Sequence, residues 1–249
     1  GFIPLCGSPG YKTVITQPPV LALGVKLVNE VSPSKAFIAE SYPFLKKYLE
    51  WDLENRDTDG AGLLEWYIEE VENCRSGESG MDNSPRFDSA MQIDATDFNA
   101  FMSHECEIMA EFAPQLGFNE EACVWRKRNN QINQLINSRL WNKEQNFYFD
   151  YDVSQNRMLD IMSSSGFLPL ICGAATREQA EHLAHHLMSP QTFRTALPVA
   201  SVACCHDNVY SKDMWRGPVW ININWLIAYG FRRYGMDNIA EMILNKSIA

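Results

Sequence analysis

The sequence predicts an all-α protein built by packing helix on helix. Three observations carry that expectation. Apolar residues recur at three- and four-residue spacings in eight separate stretches. Those stretches arrive as neighbouring pairs, as helices do when each buries the other's apolar stripe. Only one short run, "NFYFDYD" from Asn146 to Asp152, alternates with the period of a strand, so it reads as a hairpin arm.

The first helix follows "TQPP", because Pro18 and Pro19 can occupy a first turn, where no amide donor is needed. Val20, Leu23, Leu27 and Val31 then keep to one face. A second helix carries Leu45, Tyr48, Leu49, Asp52 and Leu53 after a break at Pro43. Thr96 reads as the N-cap of a third, whose stripe runs through Phe98, Phe101, Met102, Glu105, Ile108, Met109 and Phe112. Met102, Met109 and Phe112 are core residues on that reading. The fourth opens at Asn119, with Glu120 and Glu121 in its first turn, and carries Trp125, Ile132, Leu135 and Ile136. An apolar segment from Ile161 to Ile171 comes fifth. The sixth helix begins with a capping box, Thr176 and Gln179, and places His182, His185 and His186 on an exposed face. An apolar helix after Pro218 and a short one over Asp237 to Lys246 complete the series. Neither end carries a start or stop signal.

Composition excludes several function classes. The 249 residues, 46% hydrophobic and 21% charged, suffice for a sizeable core. A net charge of −10 argues against nucleic acid as partner, since phosphate binding needs a clustered basic surface. The one basic stretch, "WRKRNN" from Trp125, is a solvated helix face. No apolar run approaches the roughly 20 residues that span a bilayer. The start has no secretory leader pattern. Seven scattered cysteines read as free thiols of a reducing, cytoplasmic setting. "CCHD" at Cys204 to Asp207 lacks the ligand spacing of a metal site. "DTDGAG" from Asp57 resembles part of a calcium loop but lacks the 12-residue spacing, so a turn is the reading and no metal is assigned.

Function concentrates in two long irregular segments, 56–93 and 197–218. The first contains "GESGMDNSPRFD", where Gly, Asn, Ser and Pro exclude a regular element while four charges crowd together. The second ends in "MWRGPVW", two tryptophans and an arginine beside a Gly-Pro turn. Tryptophan faces stack on sugar rings, and an arginine fork holds hydroxyl or carboxylate oxygens. Carboxyl groups among aromatics are what glycoside hydrolysis needs.

The residues "TQPPVLA", "DTDGAGLLEW", "ESGMDNSPRFD", "DFNAFM", "LWNKEQNFYFDYD" and "DMWRGPVWININWL" resemble, in order and over nearly the whole chain, glycoside hydrolase family 63. Trehalases of family 37 are similar, but Asn83, Ser84 and Pro85 lean towards family 63, especially its mannosylglycerate-hydrolase-like and α-glucosidase-like members. The resemblance implies an (α/α)6 barrel, inversion of configuration, a small carbohydrate substrate and no organic cofactor. It implies that Asp82 is the general acid, and a tight Gly80-containing loop among aromatics suits a carboxyl that delivers a proton. Gln17, Glu78, Arg86, Trp215 and Arg216 match positions that bind and orient the sugar.

Plainer readings stand beside these. Asp82 also fits an Asx turn. Glu78 and Arg86 also fit a surface ion pair of little energetic value. Gln17 also fits a helix cap, and Trp220 a core anchor inside the last apolar helix. The family's general base, a Glu downstream of "WRGPVW", has no match here: Glu241 lies in no such motif. Residues 1–249 therefore read as the central part of one catalytic domain, with the barrel incomplete. A trehalase-like hydrolase, or a carbohydrate-binding helical scaffold without catalysis, are the alternatives.

Overall fold

The structure is a computed structural model, and residues 1–248 are described. Seven α-helices form over these residues: α1 (Leu21–Val31), α2 (Lys35–Asn55), α3 (Thr96–Gln115), α4 (Asn119–Leu135), α5 (Arg177–Met188), α6 (Ile221–Arg233) and α7 (Asp237–Ser247). Consecutive helices pair as the sequence predicts, α3 with α4 and α6 with α7 most extensively. Helix α3 also meets α1 and α2, so its first four turns are largely covered; Phe98, Met102, Met109 and Phe112 are core, and so are Asn99, His104 and Glu105.

Four elements depart from expectation. Helix α1 starts at Leu21, so Pro18 and Pro19 precede it rather than forming its first turn. Helix α2 runs straight through Pro43 rather than starting after it. Pro43 and Ala39 are both exposed, so water can satisfy the carbonyl that proline leaves without a donor. The apolar segment expected as a fifth helix is a 3-10 stretch, Ser164–Leu170. Pro169 inside it cannot donate an α-helical bond, and the whole segment is buried. Thr96 is the first residue of α3 and not its N-cap: the side chain of Asp150 accepts from its amide at 2.7 Å.

The strands are pairs of two residues. β1 (Gly7–Ser8) and β2 (Tyr11–Lys12) make one hairpin. β3 (Glu65–Trp66), β4 (Ile93–Asp94), β7 (Tyr151–Asp152) and β8 (Arg157–Met158) form an antiparallel sheet in that order, and β5 (Trp141–Asn142) pairs with β6 (Phe147–Tyr148). The alternating run "NFYFDYD" is thus shared by two hairpins, with Asp150 at the joint between them. Nor is the histidine face of α5 uniformly exposed. Only His185 is; His182 lies by Trp141, and His186 packs on Phe147 with its Nε2 2.8 Å from Gln145 O.

Candidate active site

The two irregular segments meet at one rim. In the first, Ser34-capped α2 ends at Asn55 and the chain reaches a 3-10 turn, Gly77–Ser79. Gly80 closes that turn at φ 69°, a left-handed conformation that suits glycine, and so swings Met81 and Asp82 back across the turn. The Ser76 amide donates to Asp82 O at 3.1 Å and the Met81 amide to Ser79 Oγ at 2.9 Å, which fixes the loop. In the second segment Gly217 has φ 154°, and any Cβ there would strike the Tyr210 ring at 2.2 Å.

Asn83 joins the two. Its Oδ1 accepts from Trp215 N at 2.9 Å, its Nδ2 donates to Asp213 Oδ2 at 2.9 Å, and its backbone carbonyl accepts from Arg216 Nη1 at 3.2 Å. Asp82 is therefore carried beside Trp215 and Arg216 at the same end of the helices. It is half-buried and, unlike its neighbours, has no side-chain bond within the described residues.

Trp215 is buried and stacks on Trp220, with ring centroids 4.2 Å apart and planes within 6°. Trp220 is the N-cap of α6 rather than an interior helix residue, and donates from Nε1 to Met214 O at 2.9 Å. Arg216 makes a two-pronged bridge to Asp88 at 2.8 and 2.7 Å, and that bond holds its guanidinium above the usual arginine range. Gln17 does not cap α1; its Nε2 donates to Pro4 O at 3.0 Å, while its backbone carbonyl accepts from Tyr48 Oη at 2.6 Å.

Glu78 and Arg86 are placed differently from the expectation that they touch sugar. They do not pair with each other, and both lie beneath the rim. Glu78 is 0% exposed and accepts from Thr16 N at 2.7 Å, Tyr67 N at 3.0 Å and Arg56 Nη2 at 2.6 Å. Arg86 is 2% exposed and spans Asp97 and Asp150, with Nη1 at 2.9 Å from Asp150 Oδ2. Burial works against its charge, but Asp150 and Asp97 together hold its pKa above the ordinary value. Asp150 in turn caps α3, so one carboxylate ties the rim loop, a hairpin joint and a helix start together.

The strip Met81–Asn83 lies between two hollows. Gln17, Gly80, Met81, Phe101, Trp215 and Trp225 border a largely apolar cavity of about 520 Å³ between α1 and α6. On the other side Asn83, Asp88 and Arg216 border a hollow of about 410 Å³ with Glu70 and Glu72. No residue lining the apolar cavity is a carboxylate.

The "DTDGAG" segment is a turn, as expected: Asp57 accepts from Gly62 N at 3.1 Å and Asp59 from Ala61 N at 2.8 Å. It also brings Asp59 within 4.8 Å of Glu65 and Asp94, a set that could hold a cation. Arg139 already supplies positive charge there, 2.6 Å from Asp94 and 3.7 Å from Asp59. Burial pushes Asp94 up to about 7 against the pull of Arg139. His206 of "CCHD" accepts from Met162 N at 3.0 Å, and burial lowers its pKa.

Sequence reasoning missed Asn83, Arg56, Asp97 and Asp150 as parts of this site. Asn83 sat in view only as a family marker, and the others pair across the chain with no local period to reveal them.

Among known proteins, residues 5–249 match the family described as mannosylglycerate hydrolase MGH1-like glycoside hydrolase domain. The mannosylglycerate hydrolase MGH1 of Selaginella moellendorffii is 26% identical over 95% of this chain, which spans 59% of that protein. A periplasmic trehalase of Salmonella newport is 27% identical over 96% of the chain and 50% of its own length. The crystal structure of a family 63 mannosylglycerate hydrolase from Thermus thermophilus, in complex with glucose, superposes with a TM-score of 0.84 at 24% identity. The match covers 98% of this chain and 68% of that one. The paired helices are thus those of an (α/α)6 toroid, present in part, and the chain belongs to the mannosylglycerate hydrolase MGH1-like glycoside hydrolase domain family.

Proposed function

We propose that the protein carrying this chain hydrolyses an α-linked glycoside of the mannosylglycerate-hydrolase type with inversion, and that Asp82 is its general acid. The observation that carries this reading is the placement of Asp82. Its loop is fixed on both sides, its carboxyl is free of partners among the described residues, and the loop residues just before it line the Trp215 cavity. The cavity takes the donor sugar, with Trp215 as its apolar floor and Gln17 at its edge. Glu78 and Arg216 spend their polar atoms on protein, as Arg86 does both its terminal nitrogens, so in this reading they hold the rim and the rim holds the sugar. In this reading the general base comes from outside the described residues, because no Glu of a base motif follows Trp220 in the sequence. Substrate and product are small carbohydrates.

The trehalase relatives supply the second reading, hydrolysis of an α,α-linked disaccharide. One experiment separates them. The full-length protein is incubated with mannosylglycerate, glucosylglycerate and trehalose, and the first-formed anomer is followed by proton NMR. Release of the β-anomer from a glycerate glycoside supports the first reading, and turnover of trehalose alone the second. Initial release of the α-anomer from a glycerate glycoside would exclude inversion, whereas from trehalose an inverting enzyme releases one α- and one β-glucose together. Sugar binding without turnover of any of the three would leave a carbohydrate-binding scaffold.

A further inference from the structure

Asp52 lies in the last turn of α2, 0% exposed, and neither of its carboxyl oxygens has a hydrogen-bond partner among the described residues. An ionised carboxylate left so would be uncompensated, so the group is held neutral. The charged and titratable groups that face it come from three elements. Arg56 follows four residues later at the end of α2, Tyr48 precedes it by a turn, Glu78 belongs to the Gly77–Ser79 turn, and Glu105 comes from α3. Tyr48 is committed to Gln17 O. Burial first, then the Glu78 charge, pushes Asp52 up to about 8, and Arg56 is the one group opposing them.

Arg56 is already engaged. Its Nη2 lies 2.6 Å from Glu78 Oε1 and its Nε 3.1 Å from both Glu78 oxygens, while its guanidinium sits 4.9 Å from the Trp51 ring centre. Glu78 alone bonds the guanidinium, and Asp52, buried one helical turn before Arg56, is the second carboxyl whose charge would draw on it. We propose that Asp52 is a positioning residue for the catalytic loop. Neutral, it leaves Arg56 to Glu78 and so anchors the turn that leads into Asp82. Ionised, it draws Arg56 off Glu78, which keeps only the Thr16 and Tyr67 amides, and the turn slackens.

The catalytic consequence rests on Asp82 as general acid; the motion of the turn does not. The test accordingly reads both, in the full-length protein. Amide hydrogen exchange over residues 76–82, corrected for intrinsic rate, is followed from pH 6 to 9.5 in the unaltered protein and in Asp52→Asn, with α3 as reference. Protection of 76–82 should fall several-fold across about pH 8 in the unaltered protein and stay level in the variant. The alkaline limb of kcat should move to higher pH in Asp52→Asn with KM unchanged. A level profile in the unaltered protein, or the same fall in both, overturns the proposal. If Asp52→Asn does not fold, Arg56→Lys replaces it. Its protection at pH 6 should already match the alkaline level, and full protection there would overturn the proposal too. Should Asp82→Asn keep full activity while the exchange step persists, the reading of Asp82 falls and the positioning of the turn stands.

Discussion

At the scale of single residues, the site is divided between one carboxyl, Asp82, without side-chain partners among the described residues, and several charged groups bonded within the protein. Asp82→Asn preserves shape and removes the transferable proton. General acid catalysis is worth typically 10²–10⁴-fold, so kcat of the full-length protein on ordinary glycosides should fall by about that factor. A glycosyl fluoride, whose leaving group needs little protonation, should be spared in part; steady-state rates on the two substrates check this, and equal losses would deny Asp82 the acid role. Arg86 behaves differently. Arg86→Ala strands Asp97 and Asp150 as buried, unpaired charges. That should cost about 3–5 kcal/mol in urea unfolding. A sugar-binding arginine at the rim would instead raise KM with stability intact. The sequence puts Asp82 forward because its motif is contiguous. It could not reveal the bonding of Arg86, whose partner Asp150 lies 64 residues away.

At the scale of elements, helix starts divide into those written locally and those completed from afar. Ser34 accepts from Phe37 N in α2, and Thr176 and Gln179 form the reciprocal box of α5, all within four residues and so readable in advance. Helix α1 has no such residue: Val20 precedes it, and Glu105 of α3 accepts from Ala22 N at 2.6 Å and Leu23 N at 2.8 Å. The apolar stripe of α3 places Glu105 inside, but no spacing tells which helix it will cap. Gln at 105 can accept only one of those two bonds. Glu105→Gln should therefore cost about 1–3 kcal/mol and raise amide exchange in α1 selectively, while α5 is unaffected. Uniform loss of protection across both helices would mean that Glu105 supports the whole core rather than this cap. The hairpin joint at Asp150 follows the same rule, since period two marks strands but not which neighbours they choose.

At the scale of the whole molecule, buried carboxyls set the response to pH. Burial raises Asp52 to about 8, Asp94 to about 7 and Glu105 to about 8, each above its ordinary value near 4. The folded state then holds protons that the unfolded chain releases, so stability is full below about pH 4 and declines as pH rises towards 8. Glu107 runs the other way. Burial alone would raise it, but His104 and Arg233 bring it to about 2, so its contribution is lost on acidification below its unfolded value. Thermal unfolding should accordingly show its highest Tm near pH 5 and a fall towards pH 8; a Tm rising through that interval would mean these carboxyls are ionised in the fold. The last expectation concerns the reaction. Helix pairing was legible from periodicity and motif order, but a second carboxyl was not, since no Glu of a base motif follows Trp220 in the sequence. An inverting reaction needs two carboxyl groups roughly 6.5–9.5 Å apart, with water between them. The 249-residue chain by itself should therefore bind sugar weakly and turn over glycosides at least about 10²-fold more slowly than the full-length protein. Equal rates, measured on the same glycoside at matched concentration, would require the base to lie within these residues, and the carboxylates of the acidic hollow, Glu70, Glu72 and Asp88, would then be the ones to substitute first.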